Sequence, residues 1–103
     1  MKRITILGST GSIGRSALDI VSAHRDSFKV AALTAGSNIG VLERQIESYS
    51  PEVVAVADVA SARELKKRLG KKTALSVKIL SGRDGIAEAA SWESSDFVLS
   101  AIS

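Results

Sequence analysis

Five short apolar runs alternate with segments of helical spacing along this chain, and this rhythm constrains the fold more than any other feature. The runs cover residues 3–7, 28–33, 52–57, 77–80 and 97–102. Between them, apolar residues recur every three or four positions, as they do along the buried face of an α-helix. Alternation of this kind is typical of a parallel sheet whose strands are joined by helices.

We therefore predict an α/β fold, a Rossmann-like open parallel sheet with helices on both faces and the strand order 4-3-2-1-5. Crossovers between parallel strands are right-handed. In this order the last strand returns to lie beside the first, and a crevice opens between their carboxyl ends. Open α/β sheets bind their ligands in such a crevice.

Two of the predicted helices carry specific expectations. In the third helix, Asp58 is expected to act as a cap, and Ser61 with Glu64 has the spacing of a capping box. The first helix is predicted over residues 12–24. Its buried stripe is expected to comprise Ile13, Ala17, Ile20, Val21 and His24.

Composition excludes several classes of function. The 103 residues are 45% hydrophobic and 24% charged, which is typical of a globular domain and not of a disordered chain. No cysteine and one histidine are present, so disulfides, thiolate chemistry and a histidine metal cluster have no basis. The charge of +3 comes from scattered basic residues, and we expect no nucleic-acid partner. The first apolar run is too short to span a membrane, and we expect a cytoplasmic protein.

Three glycines in a G-x-x-G-x-x-G spacing, Gly8, Gly11 and Gly14, directly follow the first apolar run. Gly8 allows a tight turn, Gly11 lets a diphosphate approach the backbone, and Gly14 lets the next helix pack closely on the sheet. We expect the amides of Ser12 and Ile13 to point at the phosphates, with the helix dipole adding to the attraction. A connector without a ligand is the alternative, although the hydroxyl groups crowded into the turn argue against it.

The end of the second predicted strand bears on the choice of nucleotide. NAD-binding domains usually place Asp or Glu there to bind the ribose 2′-hydroxyl. This chain has Gly36, Ser37 and Asn38 instead, and the last two can donate hydrogen bonds to a 2′-phosphate. The turn therefore favours NADP over NAD. No lysine or arginine stands in it, and a plain turn remains the alternative.

No catalytic constellation is visible in the chain. His24 fits a helix cap or a surface group, Trp92 fits a packing role, and no nucleophile–base pair or pair of carboxylates is found. We name no catalytic residue and no metal ligand. Because the chain ends inside an apolar run, we interpret residues 1–103 as the truncated N-terminal part of a longer enzyme, with a free-standing small domain as the alternative.

Five segments point to a known family. In order, they are TILGSTGSIGRSALDIV, VAALTAGSN, YSPEVVAVAD, ILSG and VLSAIS. The first is the most specific, because GSTGSIG followed by S-x-L-D is narrower than a general glycine fingerprint. Over its whole length the chain resembles the N-terminal NADPH-binding domain of the 1-deoxy-D-xylulose 5-phosphate reductoisomerase family.

The resemblance implies an enzyme that uses NADPH and a divalent cation, Mg²⁺ or Mn²⁺. Such enzymes rearrange 1-deoxy-D-xylulose 5-phosphate and reduce the product to 2-C-methyl-D-erythritol 4-phosphate, in the non-mevalonate route of isoprene biosynthesis. They are homodimers and are cytoplasmic in bacteria. The family's metal and substrate ligands lie after residue 103, so this chain is expected to hold NADPH but not to turn over alone.

The resemblance implies that nine residues of this chain contact the cofactor. Four would hold the diphosphate, three would surround the adenosine 2′-phosphate, and two would lie beside the nicotinamide. In that order they are Thr10, Gly11, Ser12 and Ile13; Gly36, Ser37 and Asn38; Ala101 and Ile102. Family members often carry a basic residue at the position of Ser37, so a weaker grip on the 2′-phosphate is expected unless Arg44 reaches over.

Two other functions remain open from the residues alone. One is the cofactor domain of another NADP-dependent Rossmann oxidoreductase. A semialdehyde dehydrogenase would need a cysteine, and a short-chain reductase would need a Tyr-x-x-x-Lys pair, which Tyr49 does not form. The other is a non-catalytic nucleotide-sensing module.

Overall fold

Strands and helices alternate without exception in the computed structural model, which describes residues 1–102. The strands are β1 (Lys2–Leu7), β2 (Phe28–Thr34), β3 (Val53–Val56), β4 (Lys78–Ser81) and β5 (Phe97–Ser100). The helices are α1 (Ser12–Ala23), α2 (Ile39–Tyr49), α3 (Val59–Ser76) and α4 (Gly82–Ala90). Every predicted element is present, and the five strands and α1 begin and end within two residues of the prediction.

The sheet has the predicted order, β4-β3-β2-β1-β5, and all its strand pairs are parallel. Strand β1 lies between β2 and β5, and Ile6 pairs with Leu33 on one side and Leu99 on the other. Strand β3 is fully buried along its length, as its nearly continuous apolar sequence predicts.

Helices cover both faces of the sheet, as predicted. The three crossovers from β1 to β4 step in one direction, so α1, α2 and α3 share a face and contribute Leu18, Leu42 and Leu65 to the larger core. The crossover from β4 to β5 runs back, and α4 therefore packs on the other face, where Ala89 joins a smaller core with Val53.

The predicted stripe of α1 is wrong in part. Ile13 and Ile20 are 56% and 61% exposed, and the buried residues are Gly14, Leu18 and Val21. The cause is Gly14, because a Cβ there would lie 2.3 Å from the carbonyl oxygen of Gly8. The helix thus packs against the backbone of the turn through Gly14. The predicted stripe was drawn through large apolar residues, so it lies on a different side of the helix from the face that is buried.

Helix α3 begins earlier than the predicted capping box implies. Asp58 caps it by accepting a hydrogen bond from the Ser61 N–H at 2.7 Å, which confirms the expected cap. The capping box is wrong, because Ser61 is the third residue of the helix and not its cap. Gly70, with φ and ψ of +76° and 165°, is not helical, so it divides α3 into two helical segments at a kink. Within residues 1–102, no helix combines the length and the apolar character needed to cross a bilayer.

Candidate functional site

A crevice of about 380 Å³ opens at the carboxyl edge of the sheet. It lies where the strand order reverses beside β1, the usual place for a ligand in a sheet of this type. The crevice is lined by Gly8, Gly11, Thr34, Ala35, Gly36, Ala57, Ile86, Ala101 and Ile102.

The structure brings the predicted cofactor-contact residues to this one edge. Those that line the crevice itself are Gly11, Gly36, Ala101 and Ile102. The others lie in the two turns that flank it, and they are Thr10, Ser12, Ile13, Ser37 and Asn38.

The first turn is anchored to the end of β2. The N–H groups of Gly8 and Ser9 both donate to the carbonyl oxygen of Thr34 at 2.9 Å. Gly8 has a φ of +77°, and a Cβ there would lie 3.0 Å from Cγ1 of Ile102. Glycine is thus required at position 8 by conformation and by space.

The N-terminus of α1 is open to an anion. Gly11 precedes the helix in an extended conformation, no side chain caps it, and the first turn carries no acidic residue. The N–H groups of Ser12, Ile13 and Gly14 make no hydrogen bond to residues 1–102. Such first-turn amides carry the positive end of the helix dipole, so they attract negative charge.

Packing does not require glycine at position 11. A Cβ on Gly11 would meet nothing nearer than the Gly8 carbonyl oxygen at 3.7 Å, which is an ordinary contact. The φ of Gly11 is −79°, which any residue adopts. A glycine that the fold does not need, at the mouth of an uncapped helix, is typical of a site where a ligand approaches the backbone.

The hydroxyl groups of this turn differ in their roles. Ser9 is fully buried, and its Oγ donates to Oε1 of Gln45 at 2.8 Å. The expectation that the crowded hydroxyls argue for a ligand therefore does not hold for Ser9. Thr10 is partly buried and Ser12 is exposed, so both remain at the surface of the turn.

The second turn joins β2 to α2. Asn38 caps α2 by accepting a hydrogen bond from the Val41 N–H at 3.4 Å through Oδ1. The amide nitrogen of Asn38 makes no hydrogen bond to residues 1–102 and can donate to a ligand. Ser37 is exposed, and no atom lies within 4 Å of a Cβ built on Gly36. The turn thus offers neutral donors beside an open space.

The last described residues form an apolar wall of the crevice. The Ala101 N–H donates to the Leu7 carbonyl oxygen at 2.8 Å, which keeps the chain alongside β1 beyond the end of β5. This bond places Ile102 against Gly8 at the mouth of the first turn.

The described residues contain no candidate metal site, and the other large cavity is separate from this crevice. Among residues 1–102, no three side chains of the types His, Cys, Asp or Glu lie close enough to hold a metal ion. A second cavity of about 460 Å³ lies near the amino ends of β3 and β4, lined by residues such as Pro51 and Val77. It is far from the free amides of α1, at the opposite edge of the sheet.

Several residues that line the crevice were not predicted from the sequence. Thr34, Ala35 and Ala57 end or follow β2 and β3, and the rule that parallel strands end at one edge could have found them. Ile86 belongs to α4, which reaches the crevice from the other face of the sheet. Nothing in the local sequence around Ile86 signals this contact.

A parallel sheet in the order 4-3-2-1-5, with a glycine turn leading into an uncapped helix at its carboxyl edge, defines a Rossmann-like domain of the dinucleotide-binding class. The model of the family described as 1-deoxy-D-xylulose 5-phosphate reductoisomerase matches residues 4–103. The chain belongs to this family, which confirms the resemblance seen in the sequence.

Similar proteins agree with this assignment. The 1-deoxy-D-xylulose 5-phosphate reductoisomerase of Geotalea uraniireducens is 49% identical over 102 residues, which is 99% of this chain and 26% of the relative. Enzyme 1 of the same name from Bacillus thuringiensis is 47% identical over the same shares of both chains. The chain thus spans about a quarter of the length of the curated relatives it matches.

Solved structures show the same fold. A crystal structure of DOX-P reductoisomerase in complex with NADPH, fosmidomycin and magnesium superposes with a TM-score of 0.90 at 32% identity, over 99% of this chain and 24% of that one. The reductoisomerase from Zymomonas mobilis in complex with NADPH gives 0.86 at 34% identity, over 98% of this chain and 26% of that one.

Proposed function

We propose that residues 1–103 form the NADPH-binding domain of a reductoisomerase that converts 1-deoxy-D-xylulose 5-phosphate to 2-C-methyl-D-erythritol 4-phosphate in isoprenoid biosynthesis. The observation that carries the proposal is the uncapped N-terminus of α1, which follows a glycine that the fold does not need. Family membership supports it, since relatives of this family have been solved with NADPH.

The first turn would hold the diphosphate of NADPH. The N–H groups of Ser12 and Ile13 would donate to its oxygens, with the hydroxyl of Thr10 as a further donor. Gly11 would let the diphosphate approach without meeting a side chain. The diphosphate is negatively charged, so the open end of the α1 dipole favours it.

The second turn would surround the adenosine 2′-phosphate through Gly36, Ser37 and Asn38. Its donors are neutral, because the Ser37 hydroxyl and the Asn38 amide nitrogen carry no charge. A lysine or arginine would add the attraction between opposite charges, which these neutral donors lack. We therefore infer that this chain prefers NADPH to NADH, by a smaller margin than a basic turn would give.

Ala101 and Ile102 would lie beside the nicotinamide half of NADPH, which supplies the hydride for the reduction when it is bound. Their role is to position the ring by apolar contact, since their hydrogen bond and packing fix them against β1 and Gly8. The described residues show no cluster that fits Mg²⁺ or Mn²⁺, so we assign this chain no step that involves the metal.

The same proposal covers the assembly, the location and the substrate of the full-length protein. We expect a cytoplasmic homodimer that takes up a small sugar phosphate. The expected dimer is tested by light scattering of the full-length protein, for which a monomer would contradict the assembly without affecting the cofactor site.

The activity is tested on the full-length protein by following the absorbance of NADPH after addition of 1-deoxy-D-xylulose 5-phosphate. We expect NADPH to be consumed only when the sugar phosphate is present. Gly11→Ala should raise the KM for NADPH about tenfold, which corresponds to about 1.4 kcal/mol, because the new methyl group occupies the path of the diphosphate.

Gly40→Ala is the matched control for Gly11→Ala. A Cβ on Gly40, within α2, would meet only the Arg68 guanidinium at 3.9 Å, so the KM should stay at the wild-type value. No consumption of NADPH by the wild type would overturn the proposed reaction. An equal KM for both glycine variants would overturn the diphosphate site.

A further inference from the structure

A buried polar pair joins α2 to the first turn. Ser9 is fully buried and Gln45 is 7% exposed. The Ser9 hydroxyl donates to Oε1 of Gln45 at 2.8 Å, and Nε2 of Gln45 donates back to the Ser9 carbonyl oxygen at 2.8 Å. The oxygen and the nitrogen of the Gln45 side-chain amide thus both bond to Ser9.

The packing of α2 does not call for an amide at this position. The other buried residues of this helix, Ile39, Leu42 and Ile46, are apolar. An apolar residue at position 45 would need no partner, whereas a buried amide is tolerated only when its donors and acceptors are satisfied. The presence of Gln45 therefore points to a task at the turn itself.

The geometry of the peptide bond shows what this task is. In a trans peptide the C=O of one residue and the N–H of the next point in opposite directions, and no cis bond is present in residues 1–102. Because Gln45 holds the Ser9 C=O toward α2, the N–H of Thr10 must point away from α2. That N–H makes no hydrogen bond to residues 1–102.

Helix α2 also begins at the second turn. Asn38 caps it, and Gln45 follows seven positions later, about 10 Å along the helix at 1.5 Å per residue. One rigid helix therefore contacts the diphosphate turn through Gln45 and carries the 2′-phosphate turn at its start. The two hydrogen bonds of Gln45 connect the first turn to α2, in addition to the bonds that the Gly8 and Ser9 N–H groups make to Thr34 at the end of β2.

We propose that Gln45 is a positioning residue for the cofactor: it turns the Thr10 N–H outward as a further donor for the diphosphate and, together with the bonds at Thr34, sets the spacing of the two phosphate-binding turns. The proposal rests on the proposed function. Gln45 itself does not touch the cofactor in this proposal, because it is buried and both polar atoms of its side chain bond to Ser9.

The test compares variants of the full-length protein by calorimetric titration with NADPH and by steady-state kinetics. Gln45→Met keeps the length of the side chain and removes both hydrogen bonds. We expect about a tenfold weaker affinity for NADPH and a higher KM for NADPH, with kcat and the KM of the sugar phosphate unchanged. Ser9→Ala removes only the hydroxyl bond and should weaken NADPH binding by less.

Ile46→Val is the matched control, since Ile46 is the buried neighbour on the same helix and does not contact the turn through a hydrogen bond. It should lower the thermal midpoint but leave the affinity for NADPH unchanged. Equal affinities for wild type and Gln45→Met would overturn the role of Gln45 and leave the proposed function intact. Failure of the wild type to bind NADPH would overturn both.

A measurement on the wild type covers the case in which Gln45→Met does not fold. Amide hydrogen exchange at Thr10 should be fast in the free protein and become slow when NADPH is added, because the N–H gains an acceptor only from the ligand. Slow exchange in the free protein, or an unchanged rate with NADPH, would overturn the proposal.

Discussion

At the scale of single residues, the three glycines of the first turn have different reasons to be there. Gly8 is fixed by its φ of +77° and Gly14 by a Cβ clash of 2.3 Å, whereas Gly11 is free of both constraints. The sequence shows the spacing of the three residues but not which of them the fold requires. That distinction depends on how closely α1 approaches the turn.

Gly14→Ala should destabilise the fold. Its methyl group would overlap the Gly8 carbonyl oxygen and the Ser9 backbone, so α1 must move away from the turn. We expect a loss of about 2 kcal/mol or more in the free energy of unfolding, as for other overpacked positions. Urea denaturation checks this, and a stability equal to that of Gly11→Ala would contradict the packing that we describe.

Ser37→Lys should strengthen the contact with the 2′-phosphate. Ser37 is exposed in the second turn, so a lysine there adds a charged donor without disturbing the core. We expect NADPH to bind about tenfold more tightly at low salt, with NADH unchanged and the gain falling as salt is added.

Ser48→Lys is the control for charge alone, because Ser48 is exposed near the other end of α2. It should leave the affinity for NADPH unchanged. A similar gain in both lysine variants, or a gain for NADH in Ser37→Lys, would argue against a 2′-phosphate at the second turn.

At the scale of the elements, the polar contacts of Glu52 connect the amino ends of several strands. Its carboxylate pairs with Arg3 of β1 and accepts hydrogen bonds from the Trp92 Nε1–H at 3.2 Å and the Ser94 hydroxyl at 3.1 Å. Trp92 therefore has a polar role as well as the packing role that the sequence suggests. The loop between α4 and β5 is tied in this way to β1 and to the start of β3.

The Glu52 contacts make stability depend on pH. Burial raises the pKa of Glu52, but the hydrogen bonds from Trp92 and Ser94 and the charges of Arg3 and Lys29 outweigh it, and the net pKa lies below 4.5. A carboxyl whose pKa is lowered by folding stabilises the protein above its unfolded pKa, and this stabilisation is lost as the pH falls through the folded pKa.

Glu52→Gln should therefore reduce the loss of stability below about pH 4.5 and lower the stability near pH 7 by about 1 kcal/mol. Glu93→Gln is the control, since Glu93 is exposed in the same loop and its side chain forms no hydrogen bond or ion pair with residues 1–102. Chemical denaturation between pH 3 and 7 measures both. The same pH dependence in wild type and Glu52→Gln would contradict this account.

At the scale of the whole molecule, the alternation of apolar runs with helical spacing predicted the parallel sheet, and the expected strand order and crevice edge are confirmed. Given that order, the handedness of crossovers determines which face of the sheet each helix covers. The rotation of α1, the burial of Ser9 and the contact of Ile86 could not be predicted. Each depends on close packing between elements that are far apart in sequence.

The most direct measurement of the central claim is a calorimetric titration of the wild-type protein with NADPH and with NADH. The open amides of Ser12 and Ile13 should bind the diphosphate of both nucleotides, and the second turn should favour NADPH. We expect NADPH to bind at least tenfold more tightly, a difference of about 1.4 kcal/mol. Equal affinities would contradict the 2′-phosphate turn, and no binding of either nucleotide would contradict the account as a whole.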